Sequence, residues 1–576
     1  MSMIIKQWEF APAAPKSLLK KYQKVSPILA QLLYNRGLQT PDEAYHFLYD
    51  KDLSINPFAM KDMEKAVARI RRAIKQNEAI VVYGDFDADG VTATTLMMQV
   101  LKRLNANVRA YIPHRVDEGY GLNTPALEEL ASQGMKVVIT VDCGIRSVQE
   151  VEDGNAAGLD IIITDHHSTG PEIPPALAVV NPQQEDCSGD KSLAGVGVAF
   201  MVARGLLLDA WEKNGKQKAH QRIYAQLVNE LLDLVAIGTV ADIMPLNSAT
   251  NRALVRQGLG VINRAHRLGL RALMDVAGVK LGQATAMSIG FGLAPRINAA
   301  GRLESALTAY EMLSAADVEE ARRYAEELNS LNQERQRLTA EAQDRVRQML
   351  DANDMSNAQL IFAVDDEVSP GIVGLVAGRL TEEFFRPAVV VERGDEECHA
   401  SCRSIPQFHI TQALDECADL LVRHGGHAMA AGLTVLPENL DLLQERLQEK
   451  ARAVLDGLEL LPTLHIDMEV SMRDLTMALA RELDVLEPTG QANKKPVFMT
   501  SNLRVDDVKT VGNGAAHLKV KLSADGQPPI DAIGFRLGDW AYDMPPVSDA
   551  AYHLEVNEWQ GRRNLQLNLQ DIRPSQ

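Results

Sequence analysis

The sequence predicts an α/β protein of several domains, with a parallel, doubly wound sheet first and a small β-barrel last. Residues 79–182 alternate short apolar strands with helical segments, which is typical of a parallel sheet. Residues 358–460 restart this alternation, and residues 461–576 change to short alternating strands that favour a barrel. The chain of 576 residues is also too long for one core, because domains hold about 100–200 residues.

Composition and charge narrow the class of protein. The content of 46% hydrophobic and 24% charged residues is ordinary for a soluble globular protein. The net charge of −18 argues against a surface of basic patches for duplex DNA, although a local basic groove can sit on an acidic body. We find no apolar run of about 18 residues and no leader for export, so we expect no membrane span.

The cysteines predict a reducing, cytoplasmic setting. They are few, odd in number and without zinc spacing, so buried thiols are expected. The five are Cys143, Cys187, Cys398, Cys402 and Cys417.

The chain begins with predicted helices. Ser26-Pro27 begins a helix that runs to Leu33, and Pro41 begins the next. Residues 61–78 form a cationic amphipathic helix, whose charged face is expected to be solvated rather than bound to DNA.

The first sheet is predicted to have five strands. They are Ile80–Tyr83, Val108–Ile112, Lys136–Val141, Ile161–Thr164 and Val179–Val180. Ligands of such sheets bind at the carboxyl ends of the strands. After the first strand, Thr92–Leu104 is predicted to be a helix. A second helix, Ala225–Val240, is apolar nearly all round and therefore buried.

Polar side chains follow four of these strands. In order they are Asp85, Asp87 and Asp89, then His114 and Arg115, then Asp142, and then Asp165, His166 and His167. One polar residue after a strand is ordinary capping, and residues 80–91 alone fit a polar loop with an Asx-turn equally well. Acids and imidazoles at several strand ends favour a metal site.

The chemistry of this set favours hard cations. Carboxylates with two imidazoles suit Mn²⁺ or Mg²⁺ better than zinc. There are enough ligands for two ions about 3.5–4 Å apart, a pair that activates water and holds the leaving oxygen of a phosphate ester. The predicted reaction is phosphodiester or phosphoanhydride hydrolysis.

The rest of the chain supplies a connector, a second lobe and the barrel. Val318–Leu350 is predicted to be one long helix that joins two lobes, with coiled-coil dimerisation as the alternative. The second lobe is predicted to contain a strand, a helix, a strand and two loops, namely Gln359–Val364, Gly371–Thr381, Pro387–Val391, His399–Ser404 and His424–Gly432. The predicted barrel strands are His517–Leu522, Ile530–Gly534, His553–Glu558 and Asn564–Leu569.

Four motifs resemble, in order, those of the DHH phosphoesterases. They are Asp85-x-Asp87-x-Asp89-Gly90, Val141-Asp142-Cys143-Gly144, Thr164-Asp165-His166-His167 and Gly238-Thr239-Val240-Ala241-Asp242. The second lobe resembles the DHHA1 domain through Gly425-Gly426-His427 and Ala430-Ala431-Gly432. Further matches are His114-Arg115, Glu118–Asn123, Leu193–Val198, Pro295–Arg302, Leu554 and Arg563–Leu567. Together they resemble the RecJ family of bacterial single-strand-specific 5′→3′ DNA exonucleases over nearly the whole chain.

The resemblance implies five parts. They are a helical N-terminal segment at 1–60, a DHH catalytic domain at 61–310, a connecting helix at 311–352, a DHHA1 domain at 353–460 and an OB-fold nucleic-acid-binding domain at 461–576.

The resemblance also implies a metal site. Its ligands would be Asp87, Asp89, Asp142, His166, His167 and Asp242, with Asp142 bridging two Mn²⁺ or Mg²⁺ ions. Asp85 would lie beside the ions or behind their ligands, and His167 could instead orient the scissile phosphate. Asp233 is the alternative to Asp242 as the carboxylate of the fourth motif. The expected catalytic residues are therefore Asp85, Asp142 and His167.

The 5′ end and the strand would be bound by polar groups of both lobes, in a channel that admits one strand. These groups are Arg115, Asn298, Arg302, Ser401, Arg403 and His427. The barrel would guide the strand by stacking and charge. Two departures from the family pattern are Val368-Ser369-Pro370, which puts strand affinity or processivity in doubt, and Cys402. Neither touches the metal ligands.

The family further implies a monomer that acts in DNA recombination and repair, with single-strand-binding protein and a helicase as partners. One alternative is a DHH pyrophosphatase or nano-RNA phosphodiesterase, which predicts a shorter chain without a barrel. Another is a DHH scaffold subunit of a replication complex, which predicts lost metal ligands, whereas all are present here.

Overall fold

The computed structural model describes residues 5–22, 25–50, 53, 55–115, 117–213, 218–352, 358–524, 526–559 and 561–575. The described residues form two α/β lobes, a long helix between them and a closed barrel. The predicted fold class is confirmed.

The N-terminal segment contains one strand and three helices. They are β1 (Gln7–Phe10), α1 (Lys16–Leu19), α2 (Pro27–Asn35) and α3 (Pro41–Tyr49). Ser26 caps α2, and Thr40 forms a capping box with Glu43 at α3, so both helices begin where proline predicted. The buried side chains of α2 and α3 share one core with the C-terminal barrel. The segment is therefore packed onto the other end of the chain.

The first lobe begins with the predicted parallel sheet. Its elements are α4 (Met63–Gln76), β2 (Ile80–Gly84), α5 (Ala88–Arg103), β3 (Val108–Tyr111), α6 (Thr124–Ser132), β4 (Val137–Val141), α7 (Val148–Ala156), β5 (Asp160–Thr164) and β6 (Ala178–Val180). The strand order is β3-β2-β4-β5-β6, with every pair parallel. Ile80 and Val82 enter the core on one face, while Val81 and Tyr83 enter the core on the other. Burial on both faces explains why the strands are continuous apolar runs.

The second half of the first lobe is helical. Its helices are α8 (Gly195–Lys213), α9 (Lys218–Glu230), α10 (Leu232–Ala241), α11 (Ala249–Ile262), α12 (Leu268–Val276), α13 (Ala294–Leu303) and α14 (Leu307–Ser314). A π-helical segment, Ser288–Leu293, leads directly into α13. The prediction of a single helix at Ala225–Val240 is wrong, since this stretch forms two helices, α9 and α10, that are separated at Leu231.

Two further expectations for this lobe need correction, namely the absence of a long apolar run and the solvated charged face of residues 61–78. Among the described residues, the stretch Gln221–Ala241 is long and apolar enough to cross a membrane by length and composition, although more than half of it is buried inside the protein. The cationic face of α4 is not simply solvated. Arg69 is buried and forms ion pairs with Glu78 at 2.6 Å and Asp160 at 2.5 Å, so this cation ties α4 to the sheet.

The long helix α15 (Val318–Ala352) joins the lobes. Leu328 is buried in the core of the first lobe, and Val346 is buried in a core of the second. Each half of the helix therefore packs on a different lobe, as a connecting strut requires.

The second lobe has a mixed sheet. Its elements are β7 (Ile361–Asp365), α16 (Val373–Phe384), β8 (Ala388–Glu392), β9 (Cys398–Arg403), α17 (Ile410–Asp415), β10 (Leu421–His427), β11 (Ala430–Val435) and α18 (Leu440–Leu455). The order is β10-β11-β9-β8-β7, and only β7–β8 is parallel. The loops predicted at His399–Ser404 and His424–Gly432 are wrong. Both stretches lie largely in paired strands, with Gly425 opposite Gly432 in the second, because backbone hydrogen bonds form whatever the side chain.

The C-terminal barrel closes on itself. Its elements are β12 (Thr463–Ile466), β13 (Met468–Glu469), α19 (Met477–Leu483), β14 (Phe498–Val511), β15 (His517–Ser523), β16 (Ile530–Gly534), β17 (Val547–Trp559) and β18 (Arg562–Pro574). β14 pairs with both β15 and β17, which completes the ring β14-β15-β16-β18-β17. The strand β14 was not predicted, because a shift in register between Asp506 and Lys509 interrupts its alternation. β12 pairs with β1 and so connects the N-terminal segment to the stretch that leads into the barrel.

Candidate active site

The turn after β2 places three acids at the carboxyl end of the sheet. Asp87 caps α5, since its Oδ1 accepts hydrogen bonds from the backbone N–H groups of Asp89 and Gly90 at 2.9 and 3.0 Å. Asp89 is buried in the first turn of α5, where its carboxylate accepts from the N–H groups of Gly195 and Val196 at 2.7 and 2.9 Å. The start of α8 therefore fixes Asp89.

Asp142 follows β4 in a left-handed conformation with φ of 65°. Its N–H donates to the carbonyl oxygen of Thr164 at 3.0 Å, which holds the turn against β5. Gly195 faces its carboxylate so closely that a Cβ atom there would overlap Asp142. Glycine at this position lets α8 reach the acid.

His166 lies at the centre of the acids. Its Nε2 is 3.2 Å from Asp142 Oδ1, 3.5 Å from Asp242 Oδ2 and 3.9 Å from Asp89 Oδ2. The buried atoms His166 Nε2, Asp142 Oδ1 and Asp85 Oδ1 have no hydrogen-bond partner within the described protein. Buried oxygen and nitrogen atoms that cluster without hydrogen-bond partners fit a cation.

The ligand atoms form three adjoining groups, in each of which they lie within 4.8 Å of one another. The groups are Asp142 with His166 and His167, Asp89 with His166 and Asp242, and Asp85 with Asp87 and Asp142. Asp142 and His166 each belong to two groups. All six predicted ligands, with Asp85, therefore converge on a region that fits more than one hard cation.

His167 is held by a separate network. Its Nδ1 lies 2.8 Å from Asp165 Oδ1 and 3.1 Å from the hydroxyl of Tyr120. Asp165 is buried and also accepts from the N–H groups of His166 and Ile145 at 2.7 and 3.0 Å. These bonds fix the imidazole plane and leave Nε2 of His167 available to a ligand or substrate.

Burial and mutual repulsion destabilise the charged form of the acids in this site. Burial raises the pKa of Asp85, Asp89 and Asp142 well above the ordinary value, and neighbouring carboxylates raise each pKa further. Burial, followed by the charge of Asp87, raises the pKa of Asp242 to about 7.

The two histidines differ in pKa. Burial lowers the pKa of His166 to about 4, which keeps this imidazole neutral and able to act as a ligand. Burial also lowers the pKa of His167, but the hydrogen bond to Asp165 and its charge outweigh burial and raise the pKa to about 9. His167 is therefore the cationic member of the pair.

Asp233 is not part of this site. Its carboxylate forms a bidentate pair with Arg267, at 2.8 Å from Nε and 3.1 Å from Nη2. The alternative that placed Asp233 in the fourth motif is therefore wrong, and Asp242 occupies that place.

Two of the predicted strand-binding residues flank the metal ligands. The guanidinium of Arg115 stands 4.7 Å from the centre of the Phe86 ring, and its charge acts on Asp85 and Asp87. Asn298 accepts a hydrogen bond from the N–H of Ala88 at 2.7 Å, so its oxygen supports the first turn of α5. Only the Nδ2 group of Asn298 remains for a substrate.

Arg302 lies where the two lobes touch. Its Nη1 donates to the carbonyl oxygen of Gly371 at 3.0 Å. Gly371 itself packs so closely on the Arg302 backbone that a Cβ atom would overlap it. Burial lowers the pKa of Arg302 to about 10, and the charges of Arg115, Arg335 and Arg403 contribute to this. Cations of both lobes therefore surround this contact.

The predicted residues of the second lobe lie on its sheet. Ser401 and Arg403 are two residues apart on β9 and share its outer face, close to Gly374. Arg403 and His427 both pair with Ala430, so His427 lies two strands from Arg403, at the exposed edge. Arg403 is thus in the charge cluster of Arg302, whereas His427 is peripheral.

Sequence reasoning missed two contributors to the site. Tyr120, which reaches His167, lay between two glycines of a recognised motif and received no role. Arg335 of α15 acts on Arg302 through its charge, but an arginine inside a long amphipathic helix gives no sequence signal.

Three family models match the chain in order. They are the DHH family N-terminal domain over residues 79–239, the DHHA1 domain over 357–453 and the RecJ OB domain over 466–571. The single-stranded-DNA-specific exonuclease RecJ of Bacillus subtilis (strain 168) is 38% identical over 97% of this chain and 70% of its own length. That of Escherichia coli (strain K12) is 34% identical over 96% of both chains.

The chain belongs to the RecJ family. A crystal structure of RecJ from Thermus thermophilus in complex with Mn²⁺ matches with a TM-score of 0.83 and 29% identity, over 99% of this chain and 80% of that chain. A crystal structure of exonuclease RecJ bound to manganese matches with a TM-score of 0.59 and 34% identity, over 70% of this chain and 98% of that chain. The RecJ architecture therefore extends over both lobes and the barrel.

Proposed function

We propose that this RecJ-family protein hydrolyses the phosphodiester bonds of single-stranded DNA, starting at a 5′ end, in recombination and repair. The observation that carries the proposal is the convergence of partnerless buried atoms of Asp85, Asp142 and His166 next to the arginines of two lobes. Such a site combines cation ligands with phosphate-binding groups, as phosphoryl hydrolysis requires.

The cofactor is Mn²⁺ or Mg²⁺. Two ions would be held by Asp87, Asp89, Asp142, His166 and Asp242, and Asp142 belongs to two of the ligand groups. His167 would join these ligands only as a neutral imidazole. When bound, these ions supply Lewis acidity to the phosphate and lower the pKa of an attacking water. Asp85, beside Arg115, would accept a hydrogen bond at the edge of the site.

The chain's own contribution to the chemical step comes from His167. Because Asp165 and Tyr120 fix its ring and keep it cationic, Nε2 can donate to an oxygen of the scissile phosphate. This orients the phosphate and neutralises charge that develops on it. His167 would therefore act on the phosphate from beside Asp142 and His166.

End recognition would depend on the arginines. Arg115, Arg302 and Arg403 would grip a terminal 5′-phosphate, because guanidinium groups bind phosphate oxygens bidentately. Ser401 and the Nδ2 group of Asn298 would donate further hydrogen bonds, and His427 would contact the strand at the edge of the second lobe. A gap between lobes that touch at Gly371 favours one strand over a duplex.

Further proposals concern organisation and setting. The five buried free cysteines support a reducing cytoplasmic compartment. A monomer, and partnership with single-strand-binding protein and a helicase, rest on the family alone. Because α2 and α3 share a core with the barrel, we group the N-terminal segment with residues 461–576 as one structural unit. The domain boundaries at residues 61, 311, 353 and 461 stay a prediction.

The test is digestion of end-labelled single-stranded DNA, duplex DNA and RNA with Mn²⁺, Mg²⁺ or EDTA. We expect loss of nucleotides from the 5′ end of single-stranded DNA, dependent on a metal ion and faster with a 5′-phosphate. Release from the 3′ end, or hydrolysis of dinucleotides without attack on longer strands, would contradict the proposal. The second result would indicate a small-nucleotide phosphodiesterase instead.

A further inference from the structure

An exposed apolar ridge borders the metal ligands and has no role in the site described above. It consists of Ile243, Met287 and Phe291, whose exposed fractions are 68%, 52% and 81%. Large apolar side chains with this exposure are costly in water, and a cluster of them marks a binding surface.

The position of Ile243 is the first observation. It directly follows Asp242 and has a φ of 56°, a left-handed conformation that is a genuine outlier for a β-branched residue. Such strain costs about 1–3 kcal/mol and persists at functional sites. The chain therefore holds an exposed isoleucine in a strained conformation beside a metal ligand.

The second observation is the π-helical segment Ser288–Leu293, which carries Phe291. Such segments are rare in proteins, and those that occur are often found at functional sites. Phe291 is flanked by Gly290 and Gly292, so its chain neighbours have no side chains that could cover the ring. A Cβ atom at Gly290 would lie 3.8 Å from Val240, three residues before Ile243, so the segment packs along the end of α10.

The third observation is continuity with the 5′-end site. The π-helical segment continues into α13, which carries Asn298 and Arg302. Eleven residues separate Phe291 from Arg302, or about 16 Å along a helix at 1.5 Å per residue. Because phosphates of one strand are 3.4 Å or more apart, this is a span of a few nucleotides.

We propose that the ridge of Ile243, Met287 and Phe291 is a base-stacking platform for the nucleotides on the 3′ side of the scissile phosphate. The inference rests on the proposed function. The occupant is the substrate strand itself, because Ile243 directly follows Asp242 and the segment that carries Phe291 continues into the helix of Asn298 and Arg302. Base–aromatic stacking tolerates any sequence, which suits an exonuclease that must advance over every base.

The experiment compares two substrates of the holoenzyme with Mn²⁺, a 5′-phosphorylated oligonucleotide of about 20 thymidines and a 5′-phosphorylated dinucleotide, which lacks the third and later nucleotides and so does not extend from Arg302 to Phe291, about 16 Å away. Phe291→Ala should raise KM for the long strand by about 5- to 10-fold and should change kcat/KM for the dinucleotide by less than about 2-fold. Phe291→Trp should restore the KM. Tyr45→Ala is the matched control, since Tyr45 is an aromatic residue of α3 with an exposed fraction of 62%.

A direct readout is 2-aminopurine placed in turn at the third to sixth nucleotide, in EDTA. Its fluorescence should be quenched on binding to the unaltered protein and to Phe291→Trp, and quenched less with Phe291→Ala. Equal loss on both substrates, an unchanged KM for the long strand, or a change of sedimentation coefficient in Phe291→Ala, which would mean an interface between copies, would each overturn the proposal. Failure of the unaltered protein to degrade either substrate would instead refute the proposed function.

Discussion

The two lobes are each built on a five-stranded sheet, yet they present opposite charges to the site. In the first lobe all strands are parallel, so the loops after β2, β4 and β5 meet at one edge and bring acids and imidazoles together. In the second lobe three of the four pairings are antiparallel, and Ser401 and Arg403 alternate with buried Cys402 along one strand. A parallel sheet collects ligands at an edge, whereas an antiparallel strand displays them along a face.

The largest expected effect is on the acidic side. Asp142→Ala should lower nuclease activity with Mn²⁺ by about 10³-fold or more, because it removes the carboxylate shared by two ligand groups. End-labelled digestion and Mn²⁺ titration calorimetry measure this. Asp142→Asn, which tolerates the φ of 65°, should lose activity equally, and Asp441→Ala on the exposed side of α18 is the control. Retained Mn²⁺-dependent turnover would refute the metal assignment.

The basic side should respond differently. Arg302→Ala should reduce the preference for a 5′-phosphate over a 5′-hydroxyl end by about 10- to 100-fold, since each charged hydrogen bond contributes about 1.5–3 kcal/mol. Mn²⁺ affinity should not change. Arg337→Ala is the matched control, because this arginine of α15 is paired with Glu334 and Glu341. Equal losses on both kinds of end would remove Arg302 from end recognition.

The contact between the lobes can be altered without a change of charge. Gly371→Ala should lower kcat/KM on single-stranded DNA by about 10-fold, because a Cβ atom would overlap the Arg302 backbone and push the lobes apart. Gly378→Ala is the control. Gly378 lies in α16, and a Cβ atom there would contact only Cγ of Arg403 on β9, at 3.9 Å. If both variants behave alike, the separation of the lobes does not limit the reaction.

The smallest expected effect is on stability. The pKa of His167 is raised from 6.5 to about 9, so the folded protein binds more protons than the unfolded chain between these values. Stability present below pH 6.5 is therefore lost as pH rises towards 9. The pKa of Asp242 is raised to about 7, so this residue adds to the loss of stability up to pH 7. The pKa of His166 is lowered, so this residue has the opposite effect, and only below pH 6.5.

Thermal unfolding in EDTA at a series of pH values measures how stability changes with pH. The midpoint should fall by about 2–4 °C for each kcal/mol lost, and Mn²⁺ should raise it more at alkaline than at acidic pH. His167→Gln should flatten the slope above pH 6.5. A midpoint that rises across this range would show that other groups dominate the titration.

Much of the first lobe could be predicted because its signals are local. Continuous apolar runs located all five strands within one or two residues, and the acids that follow them located the edge that carries the site. The second lobe was harder to predict. His399–Ser404 and His424–Gly432 contain small and polar residues typical of loops, and only the pairing of β9 with β11 and of β11 with β10 makes them strands.

Residue types and their order along the chain determined the family, the parallel sheet, the choice of hard cations and most of the candidate ligand set. The tertiary structure decided which acid completes that set. Asp233 and Asp242 lie in one helical region, and only packing shows that Arg267 neutralises the first while His166 faces the second. It also decided that Arg302 joins the lobes and that the N-terminal helices share a core with the barrel. The physical reason is range, because strand and helix patterns arise from neighbours in sequence, whereas charge compensation and burial depend on residues brought together by the fold.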